Sequence, residues 1–162
     1  AWGDWQITGD RNGLRILPTL LASHEPLDMV IIMLGTNDLK PSICGSALQA
    51  SFGMKRLVQC VRGHFAGQLL TIPQIVIVAP PHICDTGNED MIGHFGGIEH
   101  AVAQSQTFAY HYARRASELG VAFFDASTVA RPDPADGVHL DAANTKAIGV
   151  GLAPLVKSLL GL

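Results

Sequence analysis

A doubly wound α/β sheet with parallel strands is the architecture this 162-residue sequence predicts, on three observations. Two unbroken apolar runs rich in β-branched residues, at 28–34 and 74–79, stop at turn-forming residues, so each reads as a strand buried on both faces. A third, shorter run lies at 121–124. Around these runs, apolar residues recur at helical spacing, so helix and strand alternate along the chain. With 48% hydrophobic and 15% charged residues the chain can bury a core of its own, which excludes a disordered or fibrous protein.

Residues 1–12 are polar, glycine-containing and aperiodic, an irregular start of the kind met in mid-protein. Leu14, Ile16, Leu17, Leu20 and Leu21 then suggest a helix that Pro18 shortens or kinks. The first strand, Asp-Met-Val-Ile-Ile-Met-Leu, is closed by Gly35-Thr36-Asn37-Asp38. Residues 46–61 place Leu48, Phe52, Leu57 and Val61 near helical spacing, with Gly63 as the expected C-cap. The second strand, Gln-Ile-Val-Ile-Val-Ala, is stopped by Pro80 and Pro81, which cannot donate to a ladder. A glycine-rich stretch at 87–97 is long enough to form a mobile lid or a subunit contact in a homo-oligomer. Residues 98–119 read as one long helix, with Val102, Phe108, Ala109, Tyr112 and Ala116 on one side and Gly120 as its cap. The third strand ends at Asp125, and the last helix starts after Asp141 and carries Ile148, Leu152, Leu155 and Leu159. No internal repeat or low-complexity linker divides the chain, so residues 1–162 are read as one domain.

A net charge of −3 without runs of Lys or Arg argues against nucleic acid and anionic lipid as partners. Cys44, Cys60 and Cys84 are odd in number and lack metal-ligand spacing, which fits reduced core thiols better than a disulfide framework or a zinc site. No apolar stretch reaches the ~20 residues that cross a bilayer, and no basic-then-apolar leader opens the chain. A cytoplasmic protein that does not enter a membrane is the expectation.

In doubly wound sheets the ligand crevice lies beyond the carboxyl ends of the strands. There Gly35 allows a tight turn or a close approach, and Asn37 offers a neutral amide donor suited to an oxyanion. Taken alone, those four residues fit a plain turn equally simply. After the third strand, Asp136 stands three residues before His139, with Gly137 between them, so its carboxylate can accept from one ring nitrogen and leave the other toward a substrate. Asp141 is a natural N-cap that anchors this loop.

Together the two segments resemble the third and fifth sequence blocks of the SGNH (GDSL-like) hydrolase family. The words Leu-Asp-Met-Val-Ile-Ile-Met-Leu-Gly-Thr-Asn-Asp and Phe-Phe-Asp-Ala-Ser are similar to its bacterial arylesterase and acyltransferase-like branch, and the likeness runs from about Asp10 to the C-terminus. The resemblance implies a flavodoxin-like three-layer fold and an esterase acting on small aryl or acetyl esters through an acyl-serine, with acyl transfer to alcohols as a variant. It assigns His139 as general base, Asp136 as its orienting partner, Asn37 as oxyanion donor and Gly35 as the turn that presents it. It implies neither metal nor organic cofactor. His82, after Pro80-Pro81, faces the crevice as a wall residue, and Phe95, with Met91 and Ile92, is a candidate lining of an acyl or alcohol pocket.

The sequence departs from the family pattern at the first block, since no Gly-Asp-Ser occurs in it. Gly3-Asp4-Trp5 and Gly9-Asp10-Arg11 carry Trp and Arg in the serine's place, and no serine sits in a strained strand-to-helix elbow. The expectation is therefore a C-terminal portion of the domain whose nucleophile and N-terminal strands lie on a further segment, in cis or in trans. The alternative is a serine-less α/β module that binds a ligand or partner without catalysis.

Overall fold

The structure, a computed structural model, describes residues 11–162. The irregular start, with its two Gly-Asp words, therefore lies almost wholly outside the described residues. Three strands, β1 (Met29–Ile32), β2 (Gln74–Ala79) and β3 (Ala122–Asp125), form a parallel sheet in the order β1-β2-β3. Val30 pairs with Ile75 and Ile77 with Phe123, so β2 is the central strand. Its alternation divides the core: Ile75, Ile77 and Ala79 join one apolar cluster, and Val76 and Val78 join the other. On the first face lie α1 (Gly13–His24), α2 (Ala47–Gly67) and α5 (Phe108–Leu119), with Met54, Val58, Val61, Phe65 and Tyr112 buried beneath them. On the second lies α6 (Ala142–Leu160), through Ile148, Leu152, Leu155 and Leu159. This is the three-layer α/β fold expected.

The differences from expectation are local and have physical causes. The helix α1 runs through Pro18, which forfeits one backbone donor but does not end the element. Nor does Gly63 cap α2, which starts at the N-cap Ser46 and continues to Gly67. The expected single helix at 98–119 is two, α4 (Ile98–Ser105) and α5, because hydroxyls take carbonyls at the break. Ser105 Oγ donates to Val102 O (2.8 Å) and Thr107 Oγ1 to Gln104 O (2.8 Å). Gly120 closes α5 in the left-handed conformation as anticipated. The glycine-rich stretch contains a short helix, α3 (Glu89–His94), capped by Asn88, whose side chain accepts from Met91 N (3.1 Å).

Among the described residues β1 pairs with no strand but β2. Ile31 in β1 is 43% exposed and Leu34, just beyond it, 47%, unusual for an apolar segment of this kind.

Candidate active site

Because the strands are parallel, the segments that follow them emerge along one edge of the sheet. Asn37 lies in a short 3-10 helix (Thr36–Leu39) after β1, and His82 in the loop after β2. Asp136 and His139 lie in the loop between β3 and α6, which is fastened to the β2 loop: Cys84 N donates to Gly137 O (3.0 Å) and Thr86 Oγ1 to Ala135 O (3.3 Å). The position of Gly137 requires glycine. Its φ is +76°, and a Cβ there would stand 2.4 Å from the Cys84 carbonyl oxygen.

Within that loop Asp136 makes three hydrogen bonds, two to His139 and one to Val138. Oδ1 accepts from the backbone N–H of His139 (2.8 Å) and Val138 (2.9 Å), and Oδ2 lies 2.6 Å from His139 Nδ1. Burial acts to raise the Asp136 pKa, but the backbone donors and the imidazole together outweigh it and hold the carboxyl below its ordinary 3.8. An ionised carboxylate on Nδ1 fixes the ring so that Nε2 is the nitrogen left for proton transfer, and among the described residues Nε2 makes no hydrogen bond. The ring is 70% exposed. Asp141 caps α6 by accepting from Asn144 N (2.7 Å), and Asp133 N donates to His139 O (2.8 Å), so the loop is tied at both ends.

The Asn37 turn is built from a different set of contacts. Gly35 has φ +132° and its carbonyl accepts from Asp38 N (2.9 Å), which starts the 3-10 helix and leaves Asn37 exposed. Asp38 O in turn accepts from Gly45 N (2.8 Å) and from Cys44 Sγ (3.0 Å), closing the loop that follows. Burial pushes the Asp38 carboxyl above its ordinary 3.8, against the opposing effect of its own backbone N–H.

His82 is half-buried beside Ile83, whose N–H donates to the buried Ser105 Oγ (2.9 Å). Phe95 departs from expectation. It is 1% exposed and belongs to the core under the Asn37 loop, with the Lys40 ammonium 5.8 Å from its ring centroid. There, at the C-cap of the short helix α3, its ring packs into the core. No serine hydroxyl among the described residues bonds the His139 ring; Ser46, Ser51, Ser105 and Ser127 bond backbone or Asp125 instead. Cys84, beside the loop, is no substitute: burial first, and then the charges of Asp136 and Asp85, push its thiol upward and keep it protonated.

Sequence reasoning missed Tyr112, read only as part of an apolar helix face. Its hydroxyl donates to the Leu34 carbonyl (2.8 Å), at the end of β1. A tyrosine on the buried side of a helix needs a partner for its hydroxyl, and that was the signal in the sequence.

The arrangement can hold an oriented base and an amide donor at one sheet edge, the requirements of acyl transfer to or from a hydroxyl. Comparison with known proteins agrees. A carbohydrate acetylesterase family member from Sinorhizobium meliloti is 47% identical, with a TM-score of 0.93 over 100% of this chain and 75% of that one. A second carbohydrate acetylesterase from the same organism is 35% identical (TM-score 0.83; 91% and 68% of the two chains). The aryl esterase of M. smegmatis is 37% identical, with a TM-score of 0.83 over 91% of this chain and 68% of that one. No curated protein matches the sequence. Residues 3–146 match the profile of the GDSL-like lipase/acylhydrolase family, and with that match over most of its length the chain belongs to this family of carboxylic ester hydrolases.

Proposed function

We propose that this chain carries the base, its orienting carboxylate and an oxyanion donor of a serine esterase for small aryl or acetyl esters. The observation that carries the reading is the Asp136–His139 pair, joined by two hydrogen bonds and steadied by a third from Val138, while Nε2 is left unengaged among the described residues. His139 Nε2 would take the proton of a serine hydroxyl as that oxygen forms its bond to the ester carbonyl carbon. The tetrahedral oxyanion would accept from the Asn37 amide; on collapse the bond to the alcohol breaks and His139 returns the proton to it. Water then repeats the sequence on the acyl-serine and releases the acid. An alcohol in place of water gives a new ester, so acyl transfer is the same chemistry with a different acceptor.

The serine would come from a segment outside these 162 residues, in cis or in trans. Two features support this: no Gly-Asp-Ser occurs in the sequence, and among the described residues β1 presents an apolar edge to which another strand can pair. The acetylesterase and aryl esterase named above suggest the substrate class.

The test is to incubate the full-length protein with an aryl acetate and with a fluorophosphonate. Burst release of the phenol, and a label on a serine that maps upstream of residue 1, are expected. Adding a simple alcohol should divert part of the product to its acetate ester. A label on a serine within residues 1–162, or steady turnover that survives labelling, would overturn the assignment.

A further inference from the structure

The glycine at the head of the Asn37 turn and the tyrosine beneath it occupy one space. A Cβ on Gly35 would stand 2.0 Å from the Tyr112 hydroxyl and 3.3 Å from Phe108, so the phenol fills the volume that a side chain would need. Phe108 and Tyr112 pack edge to face, with ring centroids 5.2 Å apart, and both are fully buried. The ladder of β1 ends at Ile32, so the Leu34 carbonyl has left the sheet, and the acceptor it offers is taken by the Tyr112 hydroxyl. Burial first, and then the proximity of Asp38 and Cys44, push the phenol well above its ordinary 10, so it remains a donor throughout the working range of an esterase. Two residues, Gly35 and Thr36, separate the pinned carbonyl from Asn37, and the only unusual backbone conformation between them is that of Gly35.

We propose that Tyr112 is a positioning residue for the oxyanion donor: its hydroxyl fixes Leu34 and the Gly35 turn, and through them the Asn37 amide. The proposal rests on the reading of Asn37 given above. An oxyanion donor works by being aimed before the charge develops, so freedom in the turn lowers kcat and leaves ground-state affinity nearly alone. Tyr112 touches neither substrate nor reacting atoms in this role.

The experiment is a double-mutant cycle on aryl acetate hydrolysis, in the protein complete with its serine-bearing segment. Asn37→Ala should lower kcat by about 10²–10³. Tyr112→Phe keeps the ring packing and should lower kcat about tenfold, the factor carried by one hydrogen bond's net worth, with KM little changed. In the Asn37→Ala background the same change should add almost nothing. Replacement of Tyr112 by 4-aminophenylalanine restores a donor at the same point and should recover most of the rate even if Tyr112→Phe is itself poorly folded. Wild-type kcat in Tyr112→Phe, or a full tenfold loss on top of Asn37→Ala, or failure of the amino analogue to restore the rate, would overturn the proposal. Activity indifferent to Asn37→Ala would overturn the reading of the site itself, and is seen in that single variant before Tyr112 is changed.

Discussion

Asp136 spends both carboxylate oxygens on one loop, and its substitutions separate orientation from charge. In the full-length enzyme, His139→Ala should remove nearly all ester turnover while leaving the melting temperature close to that of the parent, since the ring is largely exposed. Asp136→Asn should cost up to about 10⁴ in kcat, because an amide cannot accept at both positions and presents N–H to a ring nitrogen or to backbone donors. The carboxyl is held below its ordinary 3.8, so its contribution to stability is fully present above that value and fades as pH falls through the folded-state value. Urea midpoints followed from neutral to acid should therefore fall less steeply for Asp136→Asn than for the parent below about pH 4. Parallel acid limbs would show that the hydrogen bonds to this carboxylate do not favour its ionised form.

At the scale of elements, the break between α4 and α5 shows what hydrophobic periodicity leaves out. Val102, Phe108, Tyr112 and Ala116 do share a side, so the pattern suggests one helix; the interruption comes from hydroxyls that bond carbonyls near Gln104. Ser105 also accepts from the buried Ile83 N–H and so holds the strand end that leads into the β2 loop. Ser105→Ala leaves that donor unmatched and should cost about 1–3 kcal/mol in urea unfolding; an unchanged midpoint would show the bond to be dispensable. The strands were readable because unbroken Ile and Val runs bounded by Gly or Pro have few other solutions, and β2 lies on the expected residues, Gln74–Ala79. The Asp136–His139 contact was readable because its two members stand three residues apart. Phe95 and Tyr112 were not, because whether an aromatic ring lines a cleft or fills the core depends on elements distant in sequence. Gly63 shows the same for caps: tertiary contacts with α1 and α5 carry α2 past it.

For the whole molecule the decisive feature is the outer edge of β1, which among the described residues pairs with no further strand and lies beside exposed Ile31, Met33 and Leu34. An exposed apolar edge of this kind is a template on which another chain can pair. Residues 1–162 made alone should therefore aggregate or melt without cooperativity in calorimetry. A serine-bearing strand supplied in cis or as a separate chain should restore both a sharp transition and ester hydrolysis. A cooperatively melting monomer that cleaves esters by itself would refute this. The spacing of the site along the chain has a consequence for the order of assembly. Asp136 and His139 close a loop of three residues, which costs little chain entropy, and their contact can form while most of the molecule is still searching. Asn37 lies about a hundred positions from His139 and, on the proposal above, is set by Tyr112, itself some seventy-five residues further on, so its alignment must wait for parallel strands and α5 to dock. The proposed base is thus expected to form early in folding and the proposed oxyanion donor late, and a refolding chain should bury Tyr112 before it regains activity.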